Sequence, residues 1–267
     1  MNDKGFALVT GASSGIGLAI SKELAAQGYP LFLVSNEKEK IAERALEIQN
    51  EFKVTALSLY MDLSQDGSAQ KLFEHCKDNN IQIEILVNNA GIFFFRDITD
   101  TAPERIETAI KLHTFTPTML TRLFAEQMIR ANKKGYILNI ASIAAWMMMP
   151  GIALYSATKS YLRCFSRSMR NEVFNKGVSI TTLCPGAVAT GLYGLAPRYM
   201  KLGMGLGIIL SPQRLAKKAV KKMFKKRSEY IPGGFINRLF IFLVVILPEW
   251  LIRTLKKKID KMLSRSN

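Results

Sequence analysis

Phe6-Ala7-Leu8-Val9-Thr10-Gly11-Ala12-Ser13-Ser14-Gly15-Ile16-Gly17 is the stretch on which the fold is decided. Phe6–Val9 is a short apolar run of the kind that forms a buried parallel strand. It passes into three glycines and then into the amphipathic segment Ile16–Gln27, closed by Gly28. Glycines at 11, 15 and 17 allow a tight turn and let a phosphate approach the backbone closely. A helix starting there offers unpaired N–H groups and a partial positive charge. The spacing G-x-x-x-G-x-G departs from the G-x-G-x-x-G dinucleotide fingerprint, and on these residues alone a plain strand-to-helix turn is the other reading.

The same alternation continues outward. Pro30–Val34, Val54–Tyr60, Ile83–Asn88, Tyr136–Ile140 and Val178–Leu183 read as strands. Glu37–Glu51, Gly67–Lys77, Pro103 to about Asn132 and Tyr155–Phe174 read as helices, with Pro103 suited to a first helical position. Strands alternating with helices indicate βαβ units. Right-handed crossovers then give an α/β, Rossmann-type doubly wound parallel sheet. We assign one domain, residues 1–234, with a helical extension over 235–267.

Composition excludes several classes. With 48% hydrophobic and 22% charged residues, the chain is neither disordered nor fibrous. Cys76, Cys164 and Cys184 have no CxxC spacing and only two histidines accompany them, so neither a disulfide scaffold nor a zinc site is expected, and no metal is assigned. They read as small buried hydrophobes in a reducing compartment. The polar start carries no signal peptide, and no run reaches the ~18 apolar residues of a membrane span. A cytoplasmic protein is expected. Residues 198–267 hold 17 Lys and Arg against three acids, and so nearly all of the net +16.

Tyr155 and Lys159 lie four apart on a predicted helix and share a face. A cation beside a phenol favours phenolate, so Tyr155 is expected to titrate below the usual value of about 10 and to exchange protons with a carbonyl or alcohol oxygen. An exposed helix pair is the alternative. Ser142 follows the fifth strand, at the sheet end where ligands bind in such folds, and its hydroxyl is placed to hydrogen-bond a substrate oxygen.

Taken together, Thr10–Gly17, Asp62-Leu63, Asn88-Asn89-Ala90-Gly91, Ser142, Tyr155-x-x-x-Lys159 and Pro185-Gly186 followed by Thr190 resemble the short-chain dehydrogenase/reductase superfamily in its single-domain form. The resemblance covers about residues 4–195. Pro232 to Asn237 is similar to a tail of its ketoacyl-reductase and hydroxysteroid-dehydrogenase-like branch. It implies NAD(P)-dependent interconversion of a ketone and a secondary alcohol. By that resemblance, Gly11, Ser13, Ser14, Gly15, Ile16 and Gly17 line the cofactor phosphates, and Asp62 and Leu63 hold the adenine. Asn89, Ala90 and Gly91 pass beside its ribose, while Pro185, Gly186, Val188 and Thr190 border the nicotinamide. Tyr155 is the general acid/base, Lys159 binds the nicotinamide ribose, and Ser142 orients the carbonyl. Where the family carries an Asn that holds a relay water, this chain has His113. That histidine either binds the water, relays a proton itself, or packs in the helix without a role.

No Asp ends the second strand to select NAD. Ser35 and Asn36 stand there with Lys38 and Lys40 nearby, which favours NADP(H) over NAD(H), with Glu37 weighing the other way. Phe93–Phe95, Ile143–Pro150 and the loop from Leu192 to Leu210, including Met200 and Met204, are rich in Phe, Met and Leu. They suggest a bulky apolar ketone: a steroid or bile acid, or a long-chain 3-ketoacyl or ketosphingoid compound. Packing of core and lid is the plainer reading. A second function class is a non-catalytic NADP(H)-binding scaffold or sensor at a membrane surface. In the tail, a lysine-faced helix from Pro212 precedes the apolar segment Phe235–Ile252. Residues 235–267 suit peripheral contact with the inner membrane surface, or packing on the body or a second subunit. The resemblance implies a homodimer or homotetramer. The tail has no nucleic-acid motif, so nucleic acid is not expected as a partner.

Overall fold

Seven strands form one parallel sheet in the order β3-β2-β1-β4-β5-β6-β7. They are β1 (Phe6–Thr10), β2 (Leu31–Ser35), β3 (Ala56–Tyr60), β4 (Ile83–Asn88), β5 (Gly135–Ile140), β6 (Val178–Leu183) and β7 (Glu229–Tyr230). The structure, a computed structural model, describes residues 4–189 and 209–263. At the centre Val9 lies beside Leu33 on one flank and Val87 on the other, and the β1–β4 register shifts once, between Phe6 and Ala7. The order reverses between β1 and β4, so the crevice beyond their C-terminal ends is the switch point of the doubly wound fold.

Helices cover both faces. On one, α1 (Gly15–Ala26), α2 (Lys38–Phe52) and α7 (Pro212–Phe224) bury Ile20, Leu24, Ile41, Ile48, Val220 and Met223 against Ala7, Val9, Leu31 and Leu33. On the other, α3 (Ser68–Asp78) and α5 (Thr116–Arg130) bury Leu72, Cys76, Leu120 and Phe124 against Leu8, Phe32, Val34 and Leu86. Successive strand residues alternate between these cores, as the pleat requires. A strand apolar on both sides therefore reads as an unbroken run. Edge strand β3 departs from this, exposing Leu57 and Tyr60.

Two expectations are corrected. Residues 103–132 do not form one regular helix. Between α4 (Pro103–Ile110) and α5 lies a π-helical turn, Lys111–Phe115, which carries His113. Such wide turns are common at functional sites. Cys164 is exposed rather than buried, because α6 (Ala153–Glu172) turns that face to solvent, while Cys76 and Cys184 are buried.

The apolar tail folds as α8 (Gly234–Val245) and α9 (Glu249–Leu263), divided at Pro248. Asn237 closes the turn before α8 by donating to the Pro232 carbonyl at 2.6 Å. Gly233 there has φ +84°. Among the described residues no helix is long and apolar enough to cross a membrane.

Candidate active site

A cleft of about 650 Å³ opens beyond the C-terminal ends of β1, β4 and β5. Its floor is the glycine turn. Gly11 takes φ +64°, and a Cβ there would come within 2.9 Å of the Ala90 Cα. A Cβ on Gly17 would fall on the Gly11 carbonyl oxygen. At Gly11 and Gly17 the turn is therefore bare backbone by steric necessity. Ser14 precedes α1 without a side-chain cap, so the first-turn N–H groups have no hydroxyl acceptor there and remain a site for an anion.

Thr10 and Asn89 lock this turn to the next loop. The Thr10 hydroxyl accepts the amides of Asn89 and Ala90 at 2.9 and 3.0 Å. The Asn89 amide donates back to the carbonyls of Thr10 and Gly11 at 2.9 and 3.1 Å. Below them Asn88 donates to Asn139 at 2.8 Å, and Asn139 to Ser166 at 2.8 Å, tying β4, β5 and α6 together.

At the β2 end, the Ser35 hydroxyl donates to Ser13 at 3.0 Å, and Ser13 donates to the Glu37 carboxylate. Glu37 pairs with Lys40 at 3.1 Å. The Ser13 hydroxyl and then Lys40 hold the Glu37 carboxyl below the usual range. Ser13, Ser35, Asn36, Glu37 and Lys40 all line the cleft. Asp62 lines it too. Burial alone would raise its pKa, but hydrogen bonds from Gln65 and Ser64 outweigh that and lower it.

Tyr155 and Lys159 reach the cleft from α6. Lys159 is not a surface residue. It is buried, and Nζ donates to the Ile140 carbonyl at 2.9 Å. Burial lowers its pKa to about 8. The ammonium lies 5.7 Å from the centre of the Tyr155 ring. That ring is also held edge-on by Phe93, at 5.0 Å, and by His113, at 5.6 Å.

His113 is buried, with both ring nitrogens engaged. Nε2 accepts the Ile92 amide at 3.1 Å, and Nδ1 lies 3.0 Å from the Thr158 hydroxyl. Thr158 donates onward to the Tyr155 carbonyl at 2.9 Å. These partners assign the proton to Nδ1. Burial first, and the Lys159 charge second, push the imidazole pKa well below its usual value.

Ser142 lies two residues past the end of β5, with its hydroxyl turned to backbone groups. It accepts the Ala144 amide at 3.1 Å and lies 3.5 Å from the Pro185 carbonyl. Pro185 lines the cleft, whereas Ser142, Gly17, Gly186 and Val188 flank it without lining it. Val188 is buried and bridges to Leu210. Thr190 and the loop residues 192–208 lie outside the described residues. Of the other apolar segments, Trp146 sits under Arg163, at 4.0 Å, and Phe94 beside Arg105, at 4.9 Å. Met148 and Phe95 are exposed. Sequence reasoning missed Met61, Ile92, Leu112, Ile140 and Ala141 in the lining. Their position at strand ends or beside a motif was the available signal.

Comparison with known proteins bears on the same elements. The short chain dehydrogenase family matches residues 5–198. Very-long-chain 3-oxoacyl-CoA reductase-A of Danio rerio is 35% identical over 190 residues, covering 69% of this chain and 58% of that protein. This chain thus spans little more than half of that relative. The Homo sapiens very-long-chain 3-oxoacyl-CoA reductase is 28% identical over 262 residues, covering 96% and 80%. A solved short-chain dehydrogenase from Sphingobium yanoikuyae, in complex with NADPH, superimposes with TM-score 0.78 at 25% identity, covering 90% of this chain and 92% of that one. Sheet order, glycine turn and sequence matches converge: the chain belongs to the short-chain dehydrogenase/reductase superfamily, in the ketoacyl-reductase branch, and is an oxidoreductase of that family.

Proposed function

We propose that this protein reduces a bulky apolar ketone, of the long-chain 3-oxoacyl or steroid type, with NADP(H). The observation that carries the reading is the buried Lys159 ammonium beside the Tyr155 ring, both lining a cleft whose floor is bare glycine backbone. The family uses nicotinamide cofactors, and the residues fit one. The cleft is of ligand size, its glycine turn admits a phosphate, and Asp62 offers a carboxylate near the far end. The bound nicotinamide supplies the hydride.

The chain's own groups do the rest. Tyr155 gives its phenolic proton to the oxygen that gains charge as the carbonyl is reduced. Lys159, held on the Ile140 carbonyl, keeps a positive charge near that phenol and favours the phenolate that results. Ser142 orients the carbonyl once its hydroxyl turns from Pro185. His113 acts as a positioning residue: its ring joins the loop after β4 to α6 through Ile92 and Thr158, and its edge contact steadies Tyr155.

Three features support NADP(H): Ser35 and Asn36 at the β2 end, Lys40 in the lining, and the NADPH bound by the Sphingobium relative. Glu37 opposes it, and Lys40 offsets that charge. The apolar substrate is supported by Phe93 against Tyr155, by Ile92 and Leu112 in the wall, and by the names of the 3-oxoacyl-CoA reductases.

The test follows NADPH and NADH oxidation against long-chain 3-oxoacyl thioesters, steroids, bile acids and 3-ketosphinganine. Tyr155→Phe should lower turnover by about 10²–10⁴-fold while cofactor still binds. Turnover that survives this change would sink the acid role. Silence on every ketone with intact cofactor binding would favour the scaffold reading.

A further inference from the structure

Two surface features outside the cleft meet on one side of the tail. The first is a basic groove lined by Lys218, Lys221, Lys222 and Lys225 of α7, by Arg227, and by Arg238 of α8. The acid in its lining, Glu229, is already paired with Arg163 at 2.7 Å. The second is an apolar stripe on α8 and its C-terminal cap residue, Ile246. Leu239, Phe242, Leu243 and Ile246 recur at helical spacing, and all are exposed, Phe242 to 60% and Ile246 to 58%. Trp250, past Pro248, is 67% exposed. Arg238 lines the groove and stands one turn before Phe242 on α8, so cations and apolar side chains adjoin.

Folding does not account for the stripe. α8 already buries Val244, and it packs against Ile143–Trp146, the segment that follows Ser142. Lys256 of α9 pairs with Asp97. The extension is therefore docked on the body while the outer side of α8 stays apolar in water, which marks an interaction surface.

We propose that this surface, α8 with the lysine face of α7, docks on an anionic lipid bilayer. Charge complementarity selects that occupant. Acidic headgroups neutralise the groove while the stripe enters the headgroup–acyl boundary. A second copy packed two-fold about the stripe presents this same patch, whose lining acid, Glu229, is already paired, and so offers the groove no anion. A nucleic acid would satisfy the groove and leave Phe242, Ile246 and Trp250 in water. Because α8 touches the segment after Ser142, docking brings that flank of the cleft toward the bilayer from which an apolar ketone would come. The docking itself does not depend on the proposed reaction.

The experiment is flotation of the full chain with vesicles of phosphatidylcholine alone and of phosphatidylcholine mixed with phosphatidylglycerol, with Trp250 emission followed in parallel. Trp146 lies under Arg163 and serves as the internal reference. We expect binding to the mixed vesicles only, weakened by salt, with a blue shift that Trp250→Phe removes. Reversing Lys218, Lys221 and Lys225 to Glu should weaken binding by about 100-fold or more. Phe242→Ser with Ile246→Ser should abolish the blue shift. Circular-dichroism melting checks that each variant folds. Equal binding to neutral vesicles, or none to either, overturns the proposal. So does binding without a blue shift, which is electrostatic adsorption alone. A dimer that Phe242→Ser with Ile246→Ser dissociates, without vesicle binding in the parent, assigns the stripe to a second copy. Duplex DNA that displaces the vesicles at equal phosphate assigns the groove to nucleic acid.

Discussion

Ile92 donates to one nitrogen of His113 and Thr158 accepts from the other, so the imidazole is spent on holding two segments together. Asparagine can reproduce the bond at Nδ1, with its amide facing Thr158, but its shorter side chain does not reach the Nε2 position beside the Ile92 amide. His113→Asn is therefore expected to lower turnover by about 3- to 10-fold, one hydrogen bond being lost, with an unchanged pH–rate profile. His113→Leu leaves the Ile92 amide unsatisfied and should lower turnover by about 10- to 100-fold, consistent with a lost buried hydrogen bond. A profile whose acid limb vanishes in His113→Asn would instead make His113 a titrating relay. Lys159 carries a different signature. Its folded pKa, about 8, lies below its unfolded value of 10.5. Below pH 8 both states hold the proton, and the cost of burying the charge is present in full. Between about pH 8 and 10.5 the unfolded state binds more protons, so stability rises with pH across that window. Lys159→Met should flatten that rise in denaturant titrations. At pH 7 it should leave the protein as stable, or up to about 3 kcal/mol more stable, while turnover is lost.

The glycine turn shows how an element is set by what it cannot carry. A methyl group on Gly17 has no space between the Gly11 carbonyl and the Asn89 side chain, and the first of these is backbone that cannot step aside. Gly17→Ala is expected to cost about 2–3 kcal/mol of stability, in the range of overpacked sites. It should weaken cofactor binding by more than tenfold, read by calorimetric titration. The π turn at Lys111–Phe115 is the complementary case. Its residues look helical in sequence, because a wide turn changes hydrogen-bond partners without changing residue types. Only the backbone hydrogen bonding of the folded chain reveals it.

At the scale of the whole molecule, the sheet is finished by a strand of two residues. Pairing of Thr182 with Glu229 and Leu183 with Tyr230 holds β7 in place. Arg163 reinforces it, bonding Glu229 while stacking on Trp146. It thereby joins α6, the segment after Ser142 and the last strand. Arg163→Ala should lower stability by about 1–2 kcal/mol, a partly buried ion pair and its stacking together. Hydrogen exchange should rise first at Cys184, whose amide bonds the Tyr230 carbonyl at 2.9 Å. Protection unchanged at Cys184 would show that β7 does not depend on the bridge.

The parallel sheet, its helices and the glycine turn were legible in the sequence because each rests on local chemistry: apolar period, glycine freedom and proline placement act within a few residues. Tertiary structure alone decided the rest. It buried Lys159 and turned Cys164 outward on the same helix. It gave both His113 nitrogens a partner, set Glu37 against Ser13, and left the α8 stripe in water. Those properties depend on neighbours from distant parts of the chain, such as Thr158, 45 residues beyond His113. A linear pattern shows which face a residue takes, but burial, protonation and hydrogen-bond partner are set by whatever folds against that face.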